Sequence, residues 1–159
     1  MTVLKSLFFL IFVPGLFVGY VPFAFLLTGI QVETGVLSYL AFPLWFIGGV
    51  MILWCFWDFI VKGHGTPAPI DPPKELVATG LYNYLRNPMY VGVLLMLIGH
   101  FIWFGYWGLL VYAVFFLMAF HLFVLLYEEP TPRKKFGKSY EAYCQATPRW
   151  IPRLSRRKW

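Results

Sequence analysis

Charge is what this sequence has least of. Only 13% of its 159 residues are Asp, Glu, Lys or Arg, and seven of those are acidic, too few to clothe a soluble domain of this size in a solvated surface. Cysteine is scarce as well. Cys55 sits inside an apolar run and Cys144 in the basic tail, and neither the number nor the spacing suits a disulfide framework, a zinc site or redox chemistry. His64 has no second His, Cys or acid at ligand spacing, so no metal site is expected. No glycine-rich turn links a strand to a helix, which removes the soluble Rossmann-type cofactor site.

What the chain has instead is apolar length. Hydrophobic residues make up 60% and aromatics 21%, which marks an integral membrane protein. Four runs approach or exceed the roughly 20 residues that a spanning helix needs: 7–27, 36–61, 89–104 and 107–127. The third is short and has to begin near the surface or lean on its neighbours. The first outlasts a signal-peptide core and lacks a small-x-small cleavage site, so it reads as a retained span. The links Thr28–Gly35 and Gly105-Tyr106 are hairpin connections, and the tail covers 128–159. The expected fold is therefore all-α: one membrane-embedded domain, 1–159, of four transmembrane helices plus a short cytoplasmic amphipathic C-terminal helix.

The net charge of +6 does not call for nucleic acid, because nine of the thirteen Lys and Arg lie from Arg133 onward, after the last apolar run. Orientation and lipid headgroups account for it better. With Lys5, the 62–86 segment and the tail holding the cations, the positive-inside rule puts both termini in the cytoplasm, in a multi-pass arrangement that in a bacterium would occupy the inner membrane.

Several positions stand out along the chain. Gly15 and Gly19 form a small-xxx-small pair suited to close helix packing, and Pro14 and Pro22 should bend the first span. Asp58 precedes Lys62 by four residues, a favourable order for a boundary ion pair, although an intramembrane carboxylate is also a functional candidate. Gly63–Pro73, rich in Gly and Pro, predicts an extended loop across the cytoplasmic mouth. Gly92 and Gly99 share a helix face and leave a groove for another backbone or a ligand. His121 and Glu128, also seven apart, are predicted to look the same way. Glu128 and Glu129 repel one another, a cost that either a ligand or pairing with Arg133, Lys134 or Arg86 would offset. Thr131-Pro132 predicts an N-cap and first helical residue, followed by an amphipathic surface helix carrying Phe136, Tyr140, Tyr143 and Thr147 on one face. Pro148 ends it.

Polar chemistry concentrates in Gly80-Leu81-Tyr82-Asn83-Tyr84-Leu85-Arg86-Asn87-Pro88-Met89-Tyr90-Val91-Gly92. Pro88 suits the first turn of the helix that follows, with Asn87 as its expected N-cap. A cation at the mouth of a helix entering lipid is either a snorkelling anchor or a ligand for an anion, and Arg86 is open to both readings.

These residues form two blocks that resemble one family. Gly80-Leu81-Tyr82 with Arg86-Asn87-Pro88-Met89-Tyr90-Val91-Gly92 is similar to the Gly-x-Tyr…Arg-His/Asn-Pro-x-Tyr-x-Gly motif of the isoprenylcysteine carboxyl methyltransferase family and its phospholipid methyltransferase relatives. Glu128-Glu129, Phe136-Gly137, Tyr140, Tyr143 and Pro148-Arg149-Trp150-Ile151-Pro152 resemble the ending of the same group. Asn87 stands where histidine is frequent, and Pro132 where leucine is. The resemblance implies a membrane enzyme that uses S-adenosylmethionine to methylate a lipophilic substrate drawn from the membrane lipid. It implies catalytic roles for Arg86 and Glu129 and cofactor contacts from Tyr90, Gly92, His121, Glu128 and Glu129, with no metal. Oxygen methylation of an isoprenylcysteine-like carboxylate is expected first, and nitrogen methylation of a phospholipid second. A carboxylate is already deprotonated at neutral pH, whereas an amine needs a base.

Overall fold

The computed structural model describes residues 11–12, 14–25, 29–63 and 76–153. Most of the expected loop Gly63–Pro73, including His64, lies outside the described residues, as do Lys5, the beginning and end of the expected first span, and the end of the tail. The regular elements among the described residues are all helical, with one isolated antiparallel bridge, Gln31 to Tyr106.

Among the described residues two helices are long and apolar enough to cross a membrane, Gly35–Val61 and Trp107–Phe136, and two apolar stretches, Gly15–Ala24 and Pro88–Phe104, are shorter. In chain order, a π-helical segment Gly15–Tyr20 leads into α1 (Val21–Phe25), and a 3-10 turn Gly35–Leu40 leads into α2 (Ala41–Val61). A second 3-10 turn, Gly80–Asn83, precedes α3 (Pro88–Phe104). Then come α4 (Trp107–Phe123), a π-helical turn Val124–Glu128, α5 (Pro130–Phe136) and α6 (Lys138–Ala146). Large apolar side chains such as Phe46, Leu53 and Trp57 on α2, and Val111, Phe115 and Met118 on α4, face outward. Helices apolar on the outside as well as the inside suit lipid, and this architecture fits a membrane protein.

The tightest contact is between α2 and α3. A Cβ built on Gly48 would stand 2.5 Å from the Gly92 carbonyl oxygen, and one on Gly92 2.8 Å from that of Gly48, so the two backbones touch. Gly99 lies under the Trp45 ring, whose indole nitrogen donates to the Met96 carbonyl at 3.2 Å. The groove predicted along Gly92 and Gly99 is thus filled by α2. Lipid offers helices no hydrophobic drive to associate, so backbone approach at small residues is what holds them. Gly15 and Gly19, by contrast, have nothing within 4 Å of their Cβ positions. Among the described residues nothing packs closely there, and the segment joins the core through Phe17 and Val18, which pack on Tyr112, Ala113 and Phe116.

At the end of the molecule near residues 30 and 105, the two hairpin connections bind one another: Val32 N–H donates to Gly105 O at 2.8 Å, and Trp107 N–H to Ile30 O at 3.2 Å. At the other end the predicted Asp58–Lys62 pair is present at 2.7 Å, with Asp58 only 1% exposed.

The C-terminal helix departs from its expected form. It begins at Pro130, not Thr131-Pro132, and Gly137 at φ 53° breaks it into α5 and α6. The π turn falls just before Pro130, whose ring in regular helix would meet the carbonyl of Leu126. The apolar face is as predicted, but Tyr140, Tyr143 and Thr147 are buried against the protein rather than laid on a membrane surface. Tyr140 and Tyr143 cluster with Ala78, and the Tyr143 hydroxyl donates to the Tyr82 carbonyl at 2.8 Å.

The glycine contact makes a sharp comparison of neighbours. Gly48→Ala should destabilise by about 1–3 kcal/mol through overpacking, while Gly49→Ala, with open space at its Cβ, should be neutral or mildly stabilising. Thermal unfolding in detergent of the two variants checks this, and equal melting temperatures would contradict the backbone contact.

Candidate active site

Where the apolar helices end, at the end of the molecule opposite the paired connections, a cavity of about 230 Å³ opens. Four stretches of chain build it: Phe59 of α2, the Leu76–Asn87 approach to α3 with Met89 and Tyr90 of its first turn, Phe123–Glu129, and α5 with the tyrosines of α6. Its walls are mostly aromatic and aliphatic, and its polar groups are few.

The sequence puts those polar groups there for local reasons. Pro88 opens α3 as predicted, but Asn87 does not cap it with its side chain. The Asn87 carbonyl takes the first helical bond, from Val91 at 3.2 Å, and its amide donates to the Arg149 carbonyl at 3.2 Å. The turn before it is fixed by Gly80, whose φ of +58° is in the left-handed region and whose Cα faces the buried Asp58 carboxylate and the Trp54 indole. Only glycine suits that conformation and that space. Asp58 Oδ2 itself is buried without a hydrogen-bond partner.

Glu128 and Glu129 have separate fates. Glu129, 8% exposed, is gripped by both arginines of the neighbourhood. Arg149 Nε and Nη2 donate to its two oxygens at 2.8 and 2.9 Å, and Arg86 Nη1 lies 2.9 Å from Oε1. Arg86 Nη1 also reaches Cys144 Sγ at 3.0 Å, while its Nε is buried with no partner. Glu128 accepts a hydrogen bond from the Tyr90 hydroxyl at 2.8 Å, and among the described residues no cation stands within ion-pair distance of it. Both acids follow Tyr127, the last apolar residue of the helix. Burial alone would raise the Glu129 carboxyl, but the Arg149 hydrogen bonds and the charges of Arg86, Arg149 and Arg133 outweigh it and hold it below the ordinary carboxylate range. Burial raises Glu128, and the Glu129 charge adds to this against the opposing Tyr90 bond. The two neighbouring acids are thus shifted in opposite directions, Glu129 down by its arginines and Glu128 up by burial.

Of the residues singled out from sequence, Arg86, Tyr90, Glu128 and Glu129 line the cavity, and Gly92 and His121 are not among its lining. Gly92 faces Gly48 on α2. His121 Nδ1 accepts from the Trp150 indole at 2.9 Å. Its seven-residue spacing from Glu128 does not bring the two together, because the π turn between them widens the helix and breaks the 3.6-residue period. The expected partners of the acid pair included Arg86 but not Arg149. That arginine arrives from 20 residues downstream, and its only sequence signal was its place in the second motif block. Tyr82, Tyr140, Tyr143 and Lys135 also line the cavity.

Apolar helices that end on a cleft holding two acids and an arginine define a membrane protein with a polar site at its boundary. The phospholipid methyltransferase family matches residues 36–139, and the chain belongs to that family, within the superfamily of membrane methyltransferases that also holds the isoprenylcysteine enzymes. No curated protein matches the chain. The matched stretch contains every cavity residue except Tyr140 and Tyr143, and it stops short of Arg149 and Trp150.

Because the native pKa of Glu129 is depressed, its contribution to stability is present above the unfolded value of about 4.3 and is lost as pH falls through the native value. Melting temperature should drop across that acidic window in the parent protein and much less in Glu129→Gln. At neutral pH that variant should cost about 3 kcal/mol, the scale of breaking a buried pair. Parallel pH–melting curves for the two proteins would refute the assignment.

Proposed function

We propose that this protein is an S-adenosylmethionine-dependent methyltransferase whose cavity holds the cofactor's amino-acid end and presents the acceptor from the bilayer. The observation that carries it is a pair of cavity-lining side chains that are incompletely paired among the described residues: Glu128, whose carboxylate has no cation, and Arg86, whose buried Nε has no acceptor. An ammonium and a carboxylate on one molecule complement them, and the amino-acid end of S-adenosylmethionine carries both. Tyr90, Phe123, Tyr127 and Phe136 offer aromatic faces for a sulfonium and a purine. When bound, S-adenosylmethionine supplies a methyl carbon already activated by a positive sulfur. The residues here have only to orient the acceptor and exclude water.

Oxygen methylation of a lipophilic carboxylate, of the isoprenylcysteine kind, remains the preferred acceptor chemistry. Such a nucleophile needs no base, and two of the three groups that could have served an amine are engaged elsewhere: Glu129 with two arginines, His121 with Trp150. Nitrogen methylation of a phospholipid headgroup is the second reading. Two observations favour it, the family's own description and Glu128, whose raised pKa suits a general base. The apolar walls from Phe59, Leu76 and Val77 suit a lipid tail in either case.

The deciding experiment gives the purified protein methyl-labelled S-adenosylmethionine with a farnesylated cysteine analogue or with phosphatidylethanolamine, followed by alkali. A methyl ester releases labelled methanol; an N-methyl group does not. Label retained in lipid after base overturns the carboxylate reading. Glu128→Gln should weaken cofactor binding by about 1.5–3 kcal/mol, the value of a charged hydrogen bond, and normal binding by that variant would remove Glu128 from the site.

The four-span topology with both termini cytoplasmic belongs to the same proposal. It is supported by the gathering of Lys62, Arg86, Arg133, Lys138 and Arg149 towards the cavity end, while the paired connections at Val32 and Gly105 carry only Glu33 nearby. An impermeant thiol reagent applied to intact cells should label a cysteine placed at Glu33 and spare one placed at Ser155. The opposite pattern would invert or break the topology.

A further inference from the structure

The segment that follows α6 is held by more bonds than its length requires. It leaves Thr147, which is 2% exposed and extended, and runs as a strap alongside the approach to α3. Arg86 N–H donates to Pro148 O at 2.9 Å, the Asn87 amide to Arg149 O at 3.2 Å, and Arg153 N–H to Tyr84 O at 3.0 Å. Two side chains project from the strap in the other direction. Arg149 forks onto Glu129, and Trp150 donates to His121 Nδ1 at 2.9 Å while its ring lies 6.4 Å from that of Tyr90. One short stretch thereby fastens the approach to α3 to α4 and the turn after it, and the chain on either side of this clasp carries Arg86, Tyr90, Glu128 and Glu129.

Neither Arg149 nor Trp150 lines the cavity, so whatever they contribute passes through other residues. The fork matters most. Glu129 Oε1 is shared between Arg149 Nε and Arg86 Nη1. Without the fork, Arg86 would face the whole carboxylate, and its guanidinium would be free to turn onto it in a bidentate arrangement of its own. That turn would change the face that Arg86 presents to the cavity it lines. The fork in turn depends on the strap, and the strap's anchor on α4 is the indole–imidazole bond. In that bond Nδ1 is the acceptor, so the ring proton resides on Nε2.

We infer that Trp150 and His121 are positioning residues: their hydrogen bond clasps the C-terminal strap to α4, keeps Arg149 on Glu129, and so holds Arg86 facing the cavity. His121 thereby acts behind the site and not as a ligand for the cofactor. The assignment rests on the methyltransferase reading of the cavity for its functional consequence, and on strap geometry alone for its structural one.

The test uses the full chain in detergent or nanodiscs, with two readouts. Trypsin cuts after Arg149, and the released Trp150–Arg153 peptide, followed by mass spectrometry, reports how often the strap opens. Titration with S-adenosylmethionine reports the site. Trp150→Phe keeps a ring but loses the donor, and His121→Phe loses the acceptor. His121→Asn retains an acceptor oxygen near the place of Nδ1. Losing one hydrogen bond should speed peptide release roughly 5- to 10-fold in Trp150→Phe and His121→Phe. Cofactor affinity should fall by a similar factor at an unchanged melting temperature, and His121→Asn should restore both. Unchanged release in both ring variants overturns the clasp, as does an Asn variant no better than the Phe variant. Faster release with unaltered affinity overturns the positioning role. If the parent protein binds no S-adenosylmethionine yet the release rates follow the expected pattern, the clasp stands and the cofactor reading fails.

Discussion

The carboxylate of Glu129 is the point on which the cavity end of the molecule depends. It gathers an arginine from the turn before α3 and another from the strap after α6, and it is itself fixed to the end of the α4 helix. A charge this buried is costly alone, and the costs of the three groups are met only together. Removing any one leaves the others uncompensated in a poorly solvated place, so the network behaves as a unit. Its role is to fix where the backbone segments meet more than to add stability, since buried ion pairs add little over well-packed apolar contacts.

From that point the division of labour in the cavity follows. Glu129 absorbs positive charge from one side and leaves Glu128, its immediate neighbour, with only the Tyr90 hydroxyl. Adjacent acids in a helix point in different directions, and here the π turn Val124–Glu128 sets those directions away from a regular helical course. The prolines at 130 and 132 supply the cause, because neither can donate to the helix ladder and the ring of the first needs room behind it. A backbone irregularity forced by proline thus aims one acid at the arginines and the other at the cavity.

The apolar part of the molecule serves the site by staying rigid. α2 and α3 meet backbone to backbone at Gly48 and Gly92, and α4 packs on α3 through Val93, Leu97, Ala113 and Phe116. The hairpin connections are tied at Val32 and Gly105, and the cavity opens at the other end of the helices.

Much of this was legible before the structure. Runs of apolar residues with the charges mostly between them point to membrane helices, and the apolar helices of the structure fit that reading, because composition acts over the whole chain and needs no tertiary knowledge. Pro88 at a helix start, Asp58 paired with Lys62, and the cavity positions of Arg86, Tyr90, Glu128 and Glu129 follow from spacing within one element or from the motif that contains them. Other readings failed because their physics is non-local. The partner of a glycine face is chosen by another helix, so Gly15 and Gly19 were given the packing that Gly48 and Gly92 possess. Helical periodicity placed His121 with Glu128, but a widened turn resets the period. The burial of the amphipathic face of α6 against Tyr82 and Ala78, and the capture of Glu129 by Arg149, join residues distant in sequence. Sequence determined the solvent, the element types and the chemical groups of the site; only tertiary structure decided which groups are spent on one another and which are left for a ligand, because pairing depends on distances that spacing along the chain does not set.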